Sequence, residues 1–227
     1  MFIEQMNKEF YKKTIIIVGG SRGIGKGVSD KFKELGAEVK IISTNNCNIR
    51  QKKSIDDYFS KIEKFDILVN CAGINYCKKI NEISYEEWSE VLETNLTSYF
   101  YIIKKSIPLM SFGSKIINIS SIAGRNKSIV SGAHYTSSKA GLIGLTRQLA
   151  QELGKKGINI NCVCPSQTMT PMLKNSMSNE EIIKLEENIP LGRIARIEEI
   201  VEPIIFLCSS KASYIHGACI DINGGQL

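Results

Sequence analysis

Long hydrophobic runs are absent from this 227-residue sequence. The longest apolar stretch, residues 14–20, is far too short to cross a bilayer, which takes about 20 residues. The first dozen residues mix acids and bases and lack the apolar core of a secretion signal. These absences predict a cytoplasmic protein with no membrane partner.

The cysteines lack the spacing of a metal site or of a disulfide framework. There are seven, an odd number, and no two of them form a CxxC pair. Most fall within strand-like or helix-like segments, as Cys71, Cys162 and Cys208 do, which is typical of small reduced core residues. The sequence therefore predicts neither bound zinc nor disulfides.

A block of basic residues is also missing, although the formal net charge is +6. The 29 Lys and Arg residues are scattered among 23 acids, without a basic run that carries interleaved aromatics. This distribution favours a solvated, mildly basic surface over a nucleic-acid interface. An acidic substrate or carrier could still be attracted to it.

What the sequence does contain is a regular alternation of short β-branched runs with amphipathic stretches. This alternation predicts a single α/β domain over residues 1–227, a Rossmann-type doubly wound parallel sheet with helices on both faces. Residues 1–12 would form an N-terminal extension. The expected strands cover residues 14–18, 38–43, 66–70, 115–120, 158–163 and 218–222, and the expected helices begin near Gly23, Ser84, Ala133 and Glu198.

The region after the second strand is unusually short. Only residues 44–46 separate that strand from a possible strand at residues 47–49, whereas a parallel crossover needs about a dozen residues. We therefore expect a shortened sheet edge, in which the segment around Cys47 is irregular or a very short strand.

A glycine-rich turn follows the first strand and leads directly into a helix. Glycines let the backbone approach a pyrophosphate, whose charge is met by free N–H groups at the helix N-terminus. Such a turn can serve only to reverse the chain, but the strand before it and the amphipathic helix after it favour a dinucleotide. The expected cofactor contacts from this turn are Gly19, Ser21, Arg22, Gly23, Ile24 and Gly25.

The end of the second strand indicates which dinucleotide to expect. A site that prefers NAD places an Asp or Glu there for the ribose 2′-hydroxyl, but this sequence has Ser43, Thr44 and Asn45. No carboxylate would repel a 2′-phosphate, and Arg22 could pair with it. The sequence therefore predicts NADP(H) over NAD(H).

Tyrosine and lysine stand four residues apart at two places in the chain. Tyr101 and Lys105 fall within a long predicted helix, whereas Tyr135 and Lys139 open a helix shortly after a strand that ends in two serines. In both cases the spacing places the two side chains on one helix face. Because ligands of a doubly wound sheet bind beyond the carboxyl ends of its strands, only the second pair is placed for catalysis.

Taken together, these motifs resemble the short-chain dehydrogenases/reductases, and in particular their 3-oxoacyl-(acyl-carrier-protein) reductases. The resemblance covers nearly the whole chain. It implies a homodimer or homotetramer that associates through the helices beginning near Ser84 and Ala133. The matching residues are Gly19-x-x-x-Gly23-x-Gly25, Asn70-Cys71-Ala72-Gly73, Asn95, Ser121, Tyr135 and Lys139.

The resemblance implies a role for each of four polar residues. Tyr135 would be the general acid/base, and Lys139 would bind the nicotinamide ribose. Ser121 would hydrogen-bond the substrate carbonyl, and Asn95 would hold a proton-relay water. Further cofactor contacts are expected from Ser43, Thr44, Asn48, Asn70, Ala72, Gly73, Pro165, Thr168 and Thr170, besides Tyr135 and Lys139.

The physical chemistry of these residues agrees with those roles. A free tyrosine, with a pKa of about 10, is a poor acid/base at neutral pH, and an adjacent ammonium is expected to lower that pKa. Asn95 falls on the apolar stripe of a helix that a Ser84/Glu87 capping box opens. A buried amide needs hydrogen bonds, so we expect Asn95 to have an internal role, either catalytic or purely structural.

The predicted activity is NADPH-dependent hydride transfer between a nicotinamide and a ketone or secondary alcohol. The residues expected to line the open side of the site form a polar wall. This wall favours a carrier-linked 3-oxoacyl thioester or a keto-sugar nucleotide over a steroid as substrate. Arg125 and Lys174 could meet a phosphate, and residues 173–190 could form a substrate lid. The alternative is a non-catalytic NADP-sensing or scaffold protein that keeps the fold. The wall is expected to include Asn75, Tyr76, Ser131, His134 and Gln167.

Overall fold

The computed structural model describes residues 9–128, 130–176 and 178–226. Its strands are β1 Thr14–Val18, β2 Glu38–Ile42, β3 Ile67–Asn70, β4 Lys115–Ile119, β5 Asn159–Pro165 and β6 Cys219–Ile222. The α-helices are α1 Gly23–Glu34, α2 Lys52–Phe59, α3 Tyr85–Leu92, α4 Ser98–Ser106, α5 Ala133–Leu153, α6 Pro171–Ser176, α7 Asn179–Glu186 and α8 Ile197–Cys208. No helix in the described ranges is both long and apolar enough to cross a membrane.

All six strands belong to one parallel sheet in the order β2-β1-β3-β4-β5-β6. The central strands β1 and β3 are apolar and buried over nearly their whole length because helices cover both faces. Ile15 and Ile17 of β1 pack with α1 and α8, whereas Ile16 and Val18 pack with α2, α4 and α5. The predicted α/β fold is therefore confirmed.

The strand order reverses between β1 and β3. From β1 the chain goes outward to β2, whereas β3 and the later strands follow one another on the other side of β1. Ligands of such sheets bind at this reversal, beyond the carboxyl ends of the strands. The glycine turn lies at the end of β1, and Asn70 ends β3. The fold thus brings the predicted cofactor residues to one edge of the sheet.

Strand β2 is the edge strand, as the predicted shortened sheet edge requires, and residues 43–66, which include α2, connect it to β3. Cys47 is buried but forms no strand, so the segment around it is irregular. Helix α2 is absent from the predicted helices, and this omission is wrong. The signal for it is weak because an eight-residue helix presents only Ile55 and Phe59 to the core.

Residues 9–12 of the predicted N-terminal extension pack on the domain, and the rest of it lies outside the described residues. Phe10 is buried against Phe32 of α1, with ring centroids 5.2 Å apart. The Lys12 N–H donates to the Gly36 carbonyl at 2.9 Å. The described end of the extension is therefore part of the core.

The predicted lid, residues 173–190, contains the end of α6 and all of α7; Met177 lies outside the described residues. Leu185 and Ile189 are buried together with Ile194, and Val130 packs against this cluster. The segment therefore touches the loop that leads into α5. Its function as a lid stays a prediction.

Candidate active site

The glycine turn is packed too tightly for side chains. Gly19 has a φ of +80°, and a Cβ there would lie 2.6 Å from the Ala72 backbone. A Cβ at Gly25 would lie 2.2 Å from the Gly19 carbonyl oxygen. These contacts hold the start of α1 against the segment that follows β3.

The N-terminus of α1 is suited to an anion. Its N-cap residue, Arg22, makes no side-chain capping bond, and the first turn contains no acidic residue. The first N–H groups of the helix are therefore not satisfied by a side-chain cap, and the helix dipole favours negative charge there. The residues present fit a dinucleotide pyrophosphate.

The end of β2 lies beside this turn, because the Gly19 N–H donates to the Ile42 carbonyl at 2.8 Å. Ser43 and Thr44 follow at once, and no carboxylate stands at these positions. Arg22 is exposed and forms no salt bridge with any residue that the structure describes. A cation and two hydroxyls are thus available near the expected position of the adenosine ribose.

Asn48 lies a short distance further along the chain, in an irregular segment. Its N–H donates to the Ser54 hydroxyl at 2.9 Å, and its side-chain oxygen accepts from the Arg50 N–H at 3.1 Å. It lines a surface cavity of about 410 Å³ together with Arg50 and Glu90. Asn48 is therefore next to open space, where an adenine contact is feasible.

The loop after β5 reaches the same edge of the sheet. Pro165 ends the strand and is buried, and Thr168 forms an isolated parallel bridge with Ala195. A Cβ at Gly23 would lie 3.4 Å from the Thr170 methyl group. The loop thus spans from the end of β5 to the glycine turn, so the predicted contacts from both segments converge.

Lys139 is the buried cation of the site, with 3% of its surface exposed. Its Nζ donates to the Ile119 carbonyl at 2.7 Å and lies 5.6 Å from the centre of the Tyr135 ring. The Ser120 hydroxyl donates to the Lys139 carbonyl at 2.8 Å. The end of β4 therefore fixes the first turns of α5 and, with them, both residues of the pair.

Ser121 follows β4 directly and has extended backbone geometry. Its Oγ accepts from the Ala123 N–H at 3.1 Å. A hydroxyl that accepts in this way keeps its own proton for another acceptor. Ser121 can therefore donate a hydrogen bond to a substrate oxygen.

Asn95 is fully buried in a π-helical turn, Glu93–Thr97, between α3 and α4. Such turns often occur at functional sites. Its side-chain amide pairs with both backbone groups of Ile74, at 2.9 and 3.0 Å, and its Nδ2 also donates to the Ser138 hydroxyl at 3.1 Å. Ser138 in turn donates to the Tyr135 carbonyl at 2.7 Å. No sequence motif selects Ser138, and its one signal is its place about one helical turn after Tyr135.

Gly73 lies between these groups. A Cβ at this position would be 3.5 Å from the Asn95 Oδ1 and 3.6 Å from the Lys139 Nζ. The distances show that Asn95 and Lys139 face the same small space. The structure therefore brings together Asn95, Tyr135 and Lys139 beside the strand end that carries Ser121.

The neighbouring polar groups of the core are neutral. Burial raises the pKa of Cys71 to about 11, although Lys139 opposes the shift. Burial also raises the pKa of Tyr99, whose hydroxyl donates to the Ala72 carbonyl. Both groups stay protonated at neutral pH, so neither competes with Tyr135 as a proton acceptor.

The second pair, Tyr101 and Lys105, has a structural role. Tyr101 donates to Asp56 of α2 at 2.7 Å, and the Lys105 Nζ lies 2.6 Å from the same carboxylate. Burial and the hydrogen bond to Asp56 raise the pKa of Tyr101. The shift is opposite to the one that general acid/base catalysis at neutral pH requires.

The polar wall is only partly as predicted. His134 is buried in the first turn of α5, and its Nδ1 accepts from the Tyr135 N–H at 2.8 Å. Burial lowers the pKa of His134. Arg125 is held by Asp221 through two bonds of 3.0 Å, so its charge is already neutralised. No cluster of three or more metal-binding side chains occurs in the described ranges.

A family model described as enoyl-(acyl carrier protein) reductase matches residues 43–226. The chain is 35% identical to the 3-oxoacyl-(acyl-carrier-protein) reductase FabG of Aquifex aeolicus, over 94% of this chain and 97% of the relative. It is 34% identical to the acetoacetyl-CoA reductase of Shinella zoogloeoides, over 94% and 98% of the two chains.

Two solved structures share the fold and contain a nicotinamide cofactor. The Leptospira borgpetersenii short-chain dehydrogenase with bound NAD+ has a TM-score of 0.87 at 26% identity and covers 97% of this chain and 94% of its own. The Pseudomonas aeruginosa RhlG/NADP active-site complex has a TM-score of 0.91 at 26% identity, with coverage of 97% and 98%.

The chain therefore belongs to the short-chain dehydrogenase/reductase family and is an oxidoreductase that uses a nicotinamide cofactor. Within that family it resembles the FabG-type 3-oxoacyl-(acyl-carrier-protein) reductases.

Proposed function

We propose that this protein is an NADPH-dependent carbonyl reductase in which Tyr135 is the general acid/base. The observation that carries the proposal is the buried Lys139 ammonium, 5.6 Å from the centre of the Tyr135 ring at the carboxyl end of β4. The cofactor, when bound, supplies the hydride. The protein's own residues hold the carbonyl and move the proton.

In the direction of reduction, Tyr135 donates its proton to the carbonyl oxygen. The tyrosinate that remains is stabilised by the nearby positive charge of Lys139, and this stabilisation makes the proton transfer easier. Ser121 donates a second hydrogen bond to the same oxygen, where negative charge develops. The bond from the Ala123 N–H keeps the Ser121 hydroxyl oriented for this purpose.

Asn95 helps to position Tyr135 and Lys139. Its contacts with Ile74 and Ser138 join the loop after β3 to the first turn of α5. Its Oδ1 shares the space around Gly73 with the Lys139 Nζ. In this space a water bound by Asn95 would pass a proton from solvent toward Lys139, which restores the proton that Tyr135 has given to the carbonyl oxygen.

NADPH is the proposed cofactor. The 2′-phosphate would lie near Ser43 and Thr44, where no carboxylate repels it, and Arg22 is available to pair with it. The loop residues Pro165, Thr168 and Thr170 would contact the nicotinamide half, because they extend from the end of β5 to the glycine turn.

The proposed substrate is a 3-oxoacyl thioester on acyl carrier protein or coenzyme A. The names of the two relatives described above state such substrates, and the wall of this site is polar. A keto-sugar nucleotide is the second candidate from the same polar wall. We place the reaction in the cytoplasm, since all seven cysteines are free and Cys77 is exposed.

The test is a panel of substrates, each mixed with the purified protein and NADPH. Reduction is measured as the loss of the NADPH absorbance. Acetoacetyl-CoA and 3-oxoacyl carrier-protein thioesters should be reduced faster than keto-sugar nucleotides and steroids. Turnover of steroids alone would overturn the substrate assignment. Equal use of NADH and NADPH would overturn the cofactor assignment.

A further inference from the structure

Three cysteines lie on one face of the sheet where β5 pairs with β6. Cys162 and Cys164 are buried in β5, whereas Cys219 begins β6 and is half-buried. All three pack with Ile143 of α5. In the described ranges no set of side chains, these thiols included, could hold a metal ion. The chemistry open to the three cysteines is therefore that of the thiols themselves.

Cys162 and Cys219 stand directly opposite each other in the parallel ladder. The Cys162 N–H donates to the Ala218 carbonyl at 2.8 Å, so the two backbones are paired at this level. Neighbouring strands lie about 4.8 Å apart, and a disulfide joins Cα atoms that are about 4.4–6.8 Å apart. Cys164 is in register with Asp221 instead. Cys162 is therefore the cysteine placed to bond with Cys219.

The sulfur of Cys219 lies in a positive environment. A hydrogen bond from the Cys162 thiol and the nearby charge of Arg147 on α5 lower the pKa of Cys219. Arg125 contributes less, and it is bound to Asp221. Hydrogen bonds with the two neighbouring thiols, together with burial, raise the pKa of Cys162. Because the thiolate is the reactive form, Cys219 is the reactive thiol of the pair and Cys162 keeps its proton.

We propose that Cys219 and Cys162 form an oxidation site, at which a peroxide converts the two thiols into a reversible disulfide between β6 and β5. The Cys219 thiolate attacks one peroxide oxygen and breaks the O–O bond, which gives a sulfenic acid and, after protonation, water. The Cys162 sulfur then attacks the sulfenic sulfur. The S–S bond forms, the S–O bond breaks, and the hydroxide leaves as water with the Cys162 proton. The two sulfurs lose two electrons, which reduce the peroxide to two waters.

The disulfide would be easy to reduce. Opposite Cβ atoms at the strand spacing of about 4.8 Å are slightly farther apart than the usual range of about 3.5–4.5 Å in a disulfide. Strain of this kind makes the bond more reducible. Disulfides of cytosolic proteins are usually transient or redox-sensing. The bond would lie in the strand that leads through Pro165 into the loop expected to contact the nicotinamide.

The experiment uses the whole reduced protein, with hydrogen peroxide as the oxidant. After treatment with an equimolar amount at neutral pH, the remaining thiols are alkylated with N-ethylmaleimide and the protein is digested with trypsin without reductant. The peptides 157–174 and 212–227 should then appear in the mass spectrum as one linked species. Dithiothreitol should separate them, and the untreated protein should not show the link.

Cysteine variants identify the bond. Cys162→Ala should abolish the link and leave Cys219 as a sulfenic acid, which dimedone traps. Cys164→Ala is the matched control, because this buried thiol lies in the same peptide, and its variant should keep the link. Cys77→Ala removes an exposed thiol elsewhere in the chain and should also keep it.

The reactivity of Cys219 is measured separately, by iodoacetamide alkylation of each peptide at several pH values. In the wild-type protein the rate at Cys219 should rise around a midpoint below the value of a free cysteine, about 8.5. Arg147→Gln should move this midpoint upward, because it removes a positive charge. Lys155→Gln removes an exposed charge shortly after the end of α5 and is the control.

The absence of linked peptides, or a link through Cys164 in place of Cys162, would overturn the proposal. A Cys219 midpoint at or above that of a free cysteine would overturn it too. Where Cys162→Ala does not fold, the link in Cys164→Ala still identifies the partner, since Cys162 is then the one cysteine left in its peptide. These measurements use neither NADPH nor a ketone, so a protein that forms the disulfide but reduces no ketone would refute the reductase function alone.

Discussion

Two tyrosine–lysine pairs in this chain have nearly the same internal geometry. The lysine Nζ lies 5.6 Å from the ring centre in the Tyr135 pair and 5.4 Å in the Tyr101 pair. Their surroundings differ, because Lys139 is buried against a backbone carbonyl and Lys105 is neutralised by Asp56. At the scale of the residue, the chemistry is set by the partners of the pair and not by its spacing.

Replacing Tyr135 with phenylalanine should lower kcat by about 10²- to 10⁴-fold, the usual range for loss of a positioned general acid. NADPH binding, measured by fluorescence titration, should be little changed. The chain supplies its own control, since Tyr101→Phe removes the same hydroxyl from the structural pair. A Tyr135→Phe enzyme with unchanged turnover would refute the mechanism.

Replacing Arg22 with leucine should weaken NADPH binding by about ten- to 100-fold, because a hydrogen bond to a charged group contributes about 1.5–3 kcal/mol. NADH has no 2′-phosphate, so its dissociation constant should stay the same. Titrations with both cofactors test this, with Lys33→Leu as an exposed control on the same helix. Equal weakening of the two cofactors would show that Arg22 does not recognise the phosphate.

At the scale of the element, most of the sheet could be predicted from the sequence. A strand buried on both faces leaves a continuous apolar run, such as residues 15–18, and glycines mark its end. Helix α2 was missed because only Ile55 and Phe59 carry its pattern. The π-helical turn around Asn95 has no counterpart in hydrophobic periodicity, so the sequence indicated a buried amide but not its geometry.

The candidate site was predictable in the same uneven way. Strand ends and the glycine turn were placed by pattern, and family resemblance supplied the roles. The partners of each side chain depend on contacts far apart in the sequence, such as Lys139 with Ile119 or Arg125 with Asp221. Such contacts arise only when the elements pack, which is why the sequence allows a phosphate contact for Arg125 and does not reveal its pairing with Asp221.

Helix α8 begins with a carboxylate whose titration should be visible in the stability of the protein. Glu199 accepts two bonds from Arg193 and one from the Arg196 N–H, and these lower its pKa from 4.5 to about 2. Since the pKa is lower in the folded state, the stabilisation is complete above about 4.5 and is lost as the pH falls toward about 2.

Glu199→Gln should therefore lower the Tm at neutral pH, and the difference from wild type should shrink between about pH 4.5 and about pH 2. Thermal unfolding followed by circular dichroism at several pH values measures this. Glu198→Gln, an exposed neighbour in the same helical turn, is the control. A constant difference across the range would show that the carboxylate does not contribute through its charge.

At the scale of the whole molecule, the protein presents large apolar side chains to solvent near the start of α3. Tyr85 is 80% exposed and Ile80 is 72% exposed, and Phe100 of α4 is 49% exposed. Exposed apolar groups of this kind often mark protein interfaces. They support the prediction that the chain forms a homodimer or homotetramer through α3, α4 and α5.

Tyr85→Glu should shift the protein toward monomer, because it places a charge in the proposed interface. Light scattering after size exclusion measures the mass directly. Tyr214→Glu is the control, since Tyr214 is fully exposed but lies near the start of β6 and far from α3 in the sequence. A wild-type protein that is monomeric at all concentrations would contradict the prediction of a homodimer or homotetramer.

Strand β2 lies at the edge of the sheet and has a neighbouring strand on one side only among the residues that the structure describes. Backbone groups on its other side are a template on which a foreign strand could add, the first step of aggregation. Glu38 and Lys40 lie on this strand and pair with each other at 3.4 Å. An incoming apolar strand would have to cover both charges, so this pair protects the open edge of the sheet against aggregation.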